Sequence, residues 1–462
     1  MASDPEREYD VVVIGAGPAG ENVAGRCAAG GLSTVIVERE LVGGECSFWG
    51  CIPSKTLARP GDVIAAARRV PGAAAAVTGE IDVAAALARR DYMTSNWDDA
   101  GALGWLEGEG IELVRGTGRL TGERTVDVAT RGGDILRLTA RKAVVLSTGT
   151  GAFIPPIPGL RESDPWDSRS VTAAKEIPRR LLVLGGGTVG TEMAQAFRRL
   201  GSQEVTVVEG GEHLLSREEP FAGDEVRAAF EAEGITVITG ARLVAATRNG
   251  AVTGTLDDGR TITADEILVA VGRRPSTTDI GLDSVGLEPG RYVDVDDRLR
   301  AAGVAGGWLY AVGDCNGRAL LTHMGKYQAR LAGDVILGKD VAATAPVPRI
   351  TFTDPQVCAV GLTEAEARAT GVDVRVVTCP TGDVAGASTL GEGVRGTSQL
   401  VVDDARRVIV GATFTGPGVA ELLHSATIAI VGEVTMDRLW HAVPSFPTLS
   451  EVWLRLMEAY GL

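Results

Sequence analysis

Histidine, cysteine, positive charge and long apolar runs are all scarce in this 462-residue sequence, and each scarcity removes a class of function. There are four histidines and six cysteines, and Cys27, Cys315, Cys358 and Cys379 stand without metal-ligand spacing, so no zinc or other metal site is expected. Six cysteines in a chain of this length are too few for a secreted disulfide scaffold, which makes the reducing cytoplasm the expected compartment. No apolar run is long enough to span a bilayer, and the opening MASDPEREYD has neither a basic n-region nor an apolar h-region. A soluble protein follows. Lys and Arg total 45 against 60 Asp and Glu, a formal net charge of −15. Phosphate backbones and anionic lipid surfaces need clustered cations, so neither nucleic acid nor membrane is an expected partner. What the chain has in quantity is apolar residues, 45% of the total, enough to fill the cores of about three domains.

A strand pattern, Tyr9 to Ile14, runs into the glycine turn Gly15-Ala-Gly-Pro-Ala-Gly20, then a helical pattern, then a second strand, Ser33 to Val37, closing on Glu38. That order fits a dinucleotide fold. Gly15 makes the tight turn, Gly17 lets backbone approach a pyrophosphate, Gly20 allows close helix packing and Glu38 reaches a ribose hydroxyl. The pattern recurs as Leu181 to Leu184, then Gly185-Gly-Gly-Thr-Val-Gly190, a helix to about Leu200, and Val205 to Val208 closing on Glu209. Here Gly185, Gly187 and Gly190 take the three glycine roles. Two nucleotide folds in one chain imply electron transfer between two cofactors. Glu209, with no Arg or Lys adjacent in sequence, points to NADH over NADPH. Between the folds, Pro60 to about Glu109 reads as helical and Gly116 to Val145 as antiparallel strands, followed by a glycine turn at Gly149. Ile154-Pro-Pro-Ile-Pro-Gly159 is a stiff crossing. A later strand, Trp308 to Val312, ends at Gly313-Asp314, where a carboxylate could accept hydrogen bonds from a ribityl chain or simply close a turn.

The stretch Gly43 to Lys55, GGECSFWGCIPSK, holds Cys46 and Cys51 with four residues between them. On an ideal helix that spacing puts the two Cα atoms roughly 8–9 Å apart, beyond disulfide reach. Gly50 relaxes the backbone, and Pro53 would clash with the Trp49 carbonyl in a continuous helix, so a break is expected before a new helix. Cys51 would then sit at a positive N-terminus, where a thiolate is favoured. Two unpaired thiols in a buried helix would fit the same spacing.

These segments, with GGGTVGTE at Gly185 to Glu192, VGRRP at Val271 to Pro275, YAVGDC at Tyr310 to Cys315 and VPRITFTDPQVCAVGLTEAEA from Val347, resemble the pyridine nucleotide-disulfide oxidoreductases. Dihydrolipoamide dehydrogenase, glutathione reductase and mercuric reductase are members. The resemblance implies an α/β fold of two Rossmann-like dinucleotide-binding domains, for FAD and NAD, and a C-terminal α+β dimerisation domain. Residues 1–150 and 273–340 would form the FAD domain, 151–272 the NAD(P) domain and 341–462 the interface of a homodimer. Hydride would pass from NADH, or NADPH, to FAD, and electrons onward to a Cys46–Cys51 disulfide and a small-molecule acceptor. Cys51 takes the place of the thiolate against the flavin, and Cys46 that of the sulfur that attacks substrate. Lys55 and Glu192 match the flavin-side lysine and its ion-pair partner, a pairing that a desolvated ammonium requires. Gly149, Gly272 and Asp314 join the cofactor-binding set.

The chain departs from the family pattern near its end, which reads His441-Ala-Val-Pro-Ser-Phe446-Pro-Thr-Leu-Ser-Glu451. Pro447, Thr448 and Glu451 match, but Phe446 stands where most members carry the histidine that handles the substrate proton. A phenyl ring moves no proton. His441 could serve if the segment 443–445 folds back, or it is an ordinary surface histidine, and His323 is expected to be structural. Phe48 and Trp49 are bulkier than usual between the cysteines, which implies a narrow or aromatic-lined pocket. Alongside a disulfide-type acceptor stand a diaphorase or quinone reductase that bypasses the cysteines, a mercuric-type metal reductase, for which the tail Glu458 to Leu462 lacks a cysteine pair, and a flavoprotein subunit of a larger complex.

Overall fold

β-Branched apolar runs between glycine turns become the central strands of two parallel sheets in the computed structural model, which describes residues 6–462. The chain divides into two compact units. One holds the residues up to Pro53, Arg90–Phe153 and Gly272–Thr344, and the other Ser54–Arg89, Ile154–Val271 and Ala345–Leu462.

In the first unit, strand Glu6–Ile14 lies between Thr34–Glu38 and Ile135–Leu146, parallel to both. Glu112–Gly122 extends the parallel sheet beyond Thr34–Glu38, and Leu309–Ala311 extends it beyond Ile135–Leu146. The second half of Glu112–Gly122 and the first half of Ile135–Leu146 pair antiparallel with Thr125–Thr130. Both faces of the central strands are apolar and covered, as continuous Val and Ile runs require. Helix Pro18–Ala29 makes the first crossover and packs beside helix Thr322–Ile336. Strands Thr150–Ala152 and Arg273–Pro275, where the chain leaves and re-enters this unit, pair antiparallel.

In the second unit, Glu266–Val269, Arg180–Leu184, Glu204–Glu209 and Thr236–Thr239 form a four-stranded parallel sheet. A three-stranded antiparallel ribbon spans Leu243 to Ala264. The C-terminal part is a five-stranded antiparallel sheet, covered by helices Leu423–Val431 and Val452–Tyr460 around Phe414, Leu456 and Met457.

The repeat seen in sequence is also a repeat of hydrogen bonds. Gly15 donates to Val37 O and Gly185 to Val208 O, each at 2.8 Å. Glu38 accepts from the amides of Ala16 and Glu40, both at 2.7 Å, and Glu209 accepts from Gly186 at 2.6 Å and Gly211 at 2.7 Å. Each acid therefore clamps its glycine turn to the loop after the second strand. Gly15 and Gly185 have φ of +101° and +107°, which a Cβ disfavours. A Cβ on Gly20 would stand 1.9 Å from Gly15 O, and one on Gly190 1.9 Å from Gly185 O, so helix and turn touch at both places.

Candidate active site

The cysteine segment is built against the first glycine turn. Gly43 donates its amide to Ala16 O at 2.8 Å, and a Cβ on Gly44 would lie 2.8 Å from Gly17 Cα. Helix Gly44–Phe48 carries Cys46 and stops at Trp49 (φ −136°, ψ −4°), and a new helix, Cys51–Arg69, starts at the second cysteine. This is the break expected from Gly50 and Pro53. It brings the Cys46 and Cys51 side chains within hydrogen-bonding reach of each other. The Cys51 sulfur chiefly, and burial next, raise the Cys46 thiol well above the ordinary range. Cys51 Sγ also lies 3.4 Å from Thr322 Oγ1 at the start of helix Thr322–Ile336. Its sulfur thus meets the positive ends of two helices, which favour an anion there.

One turn after Cys51, Lys55 Nζ sits 2.7 Å from Glu192 Oε2, with the Glu192 side chain 4% exposed and the lysine 34%. Glu192 Oε1 accepts the Phe352 amide at 2.9 Å, and the ammonium lies 4.9 Å from the Phe352 ring centroid. A buried carboxylate so placed aims the lysine side chain.

Asp314 follows strand Leu309–Ala311 and accepts from Thr150 Oγ1 at 2.8 Å. Burial pushes its carboxyl up. Arg273 donates to Thr150 Oγ1 at 2.7 Å and Thr150 O at 2.8 Å, and pairs at 3.7 Å with Glu45, the neighbour of Cys46. Asp314, Thr150, Arg273 and Glu45 therefore form one polar chain ending beside the cysteines. Gly149 (φ +68°) and Gly272 (φ +142°) close the turns before the antiparallel pair that carries Thr150 and Arg273.

The residues present fit two dinucleotides. At Gly17 and Gly187, the first residues of two 12-residue helices' caps, an added Cβ would meet no atom, so backbone amides face open space at a positive helix end. Each oxygen of Glu38 and Glu209 holds one amide and keeps acceptor capacity for a ribose hydroxyl. Beside Glu209 the structure also places Arg242, whose side chain lies against Gly210, a neighbour that adjacency in sequence does not reveal. Gly190→Ala should cost about 1–3 kcal/mol through overpacking. Gly187→Ala should unfold like the parent yet bind pyridine nucleotide more weakly. Thermal unfolding and a fluorescence titration with NADH separate the two effects.

At the C-terminal end, Glu451 Oε1 accepts the amides of Gly386 at 2.9 Å and Thr448 at 3.0 Å. His441 follows helix Met436–Leu439 with an exposed ring, and Phe446 is 77% exposed. Thr322, Thr150, Arg273, Phe352 and Arg242 are the neighbours that sequence reasoning missed. Arg273 and Phe352 lie inside the motifs VGRRP and VPRITFTDP, Thr150 follows the turn glycine Gly149 and Thr322 precedes His323, whereas Arg242 has no signal in spacing or composition.

A family model described as pyridine nucleotide-disulphide oxidoreductase matches residues 9–329, and the dimerisation domain of the same description matches residues 347–457. Dihydrolipoyl dehydrogenase of Thermus scotoductus is 33% identical over 466 residues, covering 98% of this chain and 97% of its own. Mercuric reductase of Staphylococcus aureus is 29% identical over 453 residues, covering 96% of this chain and 81% of its own. Among solved structures, the Cu(II) complex of the HOCl-induced flavoprotein disulfide reductase RclA from Escherichia coli aligns with a TM-score of 0.86 at 25% identity, covering 98% of this chain and 99% of that one.

Proposed function

This chain belongs to the pyridine nucleotide-disulphide oxidoreductases, flavoenzymes that use FAD and a pyridine nucleotide, and from that premise we propose that it reduces a small disulfide-type acceptor through Cys46 and Cys51. The observation that carries the reading is the contact of the two sulfurs across the helix break, beside Thr322 and against the first glycine turn.

In this reading residues 1–150 and 273–340 hold FAD through Gly15, Gly17, Gly20, Glu38, Gly149 and Asp314. Residues 151–272 hold the nucleotide through Gly185, Gly187, Gly190, Glu209 and Gly272, and Glu209 favours NADH. Residues 341–462 form the interface of a homodimer, for which the match to the dimerisation domain speaks. Bound FAD would supply the two-electron link between nicotinamide and the cysteine pair. The chain's own part is thiol exchange. Cys46 sulfur attacks the substrate disulfide and expels one thiolate; Cys51 then attacks Cys46 and expels the second. The dithiol's two protons go to the two departing thiolates, leaving a Cys46–Cys51 disulfide for the next reduction. Lys55, paired with Glu192, would serve the flavin side of the reaction, and Glu451 the substrate side. The cytoplasm is the proposed compartment; in keeping with it, no helix among the described residues is long and apolar enough to cross a membrane.

A second reading, a diaphorase or quinone reductase in which the cysteines stay idle, is favoured by Phe446 at the position of the proton-carrying histidine. Anaerobic titration of the purified flavoprotein with NADH and then dithionite separates the two. Two electron pairs per flavin, with long-wavelength absorption after the first, are expected. One pair per flavin without that absorption would overturn the disulfide reading in favour of the second.

A further inference from the structure

Helix Cys51–Arg69 carries charges at Lys55, Asp62 and Arg69, spaced by seven. Residues seven apart on a helix fall within about 20° of one line, roughly 10.5 Å from each other along the axis. All three are engaged. Lys55 pairs with Glu192, Asp62 Oδ1 accepts from Arg199 Nη1 at 2.9 Å, and Arg69 pairs with Asp354. Glu192 and Arg199 are themselves seven apart on one helix, Thr188–Arg199, with Gln195 between them.

That second helix grips the segment Phe352–Asp354 at three levels. Glu192 takes the Phe352 amide, and Gln195 takes the Asp354 amide at 2.8 Å and donates to its carbonyl at 2.9 Å. Arg199 donates to the Asp354 carboxylate at 2.8 Å and to Glu233 at 2.7 Å and 3.0 Å. One guanidinium, 12% exposed, therefore ties three carboxylates from three segments. Its planar fork is suited to this in a way an ammonium is not. Gly61 makes room for it, since a Cβ there would meet Arg199 Cδ at 2.6 Å.

The rungs straddle a weak point. Pro60 lies inside helix Cys51–Arg69, where it removes a backbone hydrogen bond and invites a kink. Lys55 stands before it, Asp62 and Arg69 after it. The geometry points to Arg199 as a positioning residue: by holding Asp62 and Asp354 together it fixes the register of the proline-weakened helix and so the place of Lys55 against Glu192. The role of Lys55 itself rests on the function proposed above, but the brace can be read at the lysine directly.

The chain has only five lysines, Lys55, Lys142, Lys175, Lys326 and Lys339, so competitive acylation with a trace amine reagent followed by mass spectrometry reports each. The flavin-loaded protein is the sample. Arg199→Met keeps the apolar stem and removes the fork. Asp62→Asn is the milder variant, leaving Arg199 paired with Glu233 and Asp354, and serves if Arg199→Met does not fold. Against Lys142 and Lys339 as references, both should raise Lys55 acylation about two- to fivefold, the factor that one partly exposed ion pair is worth. Lys175, in the same unit, should not change, and Asp62→Glu should retain the parent protection. Turnover should fall at unchanged KM for pyridine nucleotide. Parent-like Lys55 labelling in Asp62→Asn, or an equal rise at Lys175, would overturn the proposal. Neither result depends on whether the cysteines reduce a disulfide, so failure here is distinct from failure of the proposed function.

Discussion

Cys46→Ser is expected to abolish reduction of disulfide substrates, with turnover falling by about three orders of magnitude or more, as when a nucleophile is removed from a working pair. The side chain is half-buried and changes by one atom, so the fold should survive and the protein should still bind flavin. Its thiol is raised by its neighbour and by burial, so it becomes a competent nucleophile once its proton is passed on. The assay is NADH oxidation with lipoamide, glutathione disulfide and cystine as acceptors, run beside a quinone. Loss with all disulfides and retention with the quinone fits the thiol-exchange route. Unchanged turnover with a true disulfide substrate would sink it.

Phe446→His should work in the opposite direction. General acid–base catalysis typically contributes 10²–10⁴-fold, and a restored imidazole should raise disulfide reduction by about 10²-fold at the lower end of that range. Phe446 is 77% exposed within the single chain, so the change removes little packing inside it. Glu451 is already held by the amides of Gly386 and Thr448 through Oε1, and its Oε2 has no hydrogen-bond partner among the described residues. A new limb near pH 6.5 in the rate profile, the ordinary histidine value of about 6.5, is the second signature. No gain in rate and no new limb would mean that proton transfer to substrate does not limit this enzyme, and would favour the direct flavin route.

Much of the architecture was legible because it depends on short-range chemistry. Glycine turns at Gly15 and Gly185 need positive φ, and glycine supplies it wherever the chain goes next. The break between Cys46 and Cys51 follows from Gly50 and Pro53, local steric facts that no distant residue has to confirm. The acids Glu38 and Glu209 were also readable, since a strand of fixed length delivers its last side chain to the neighbouring turn.

What the sequence by itself determined, then, is the identity and order of these local devices: two glycine turns, one broken helix with its cysteines, and a phenylalanine where the resemblance implies a histidine. The tertiary structure alone decided which distant residues stand around them. Thr322 reaches Cys51, Arg273 links Asp314's partner Thr150 to Glu45, and Arg242 lies beside Glu209's loop, each from segments with no local constraint on meeting. The charges spaced by seven along helix Cys51–Arg69 look like an ordinary solvated face until Arg199, Glu192 and Asp354 are brought against them. Backbone geometry is set by a residue and its nearest neighbours, whereas an ion pair is set by two positions whose separation in space the chain order leaves open until the sheets have packed.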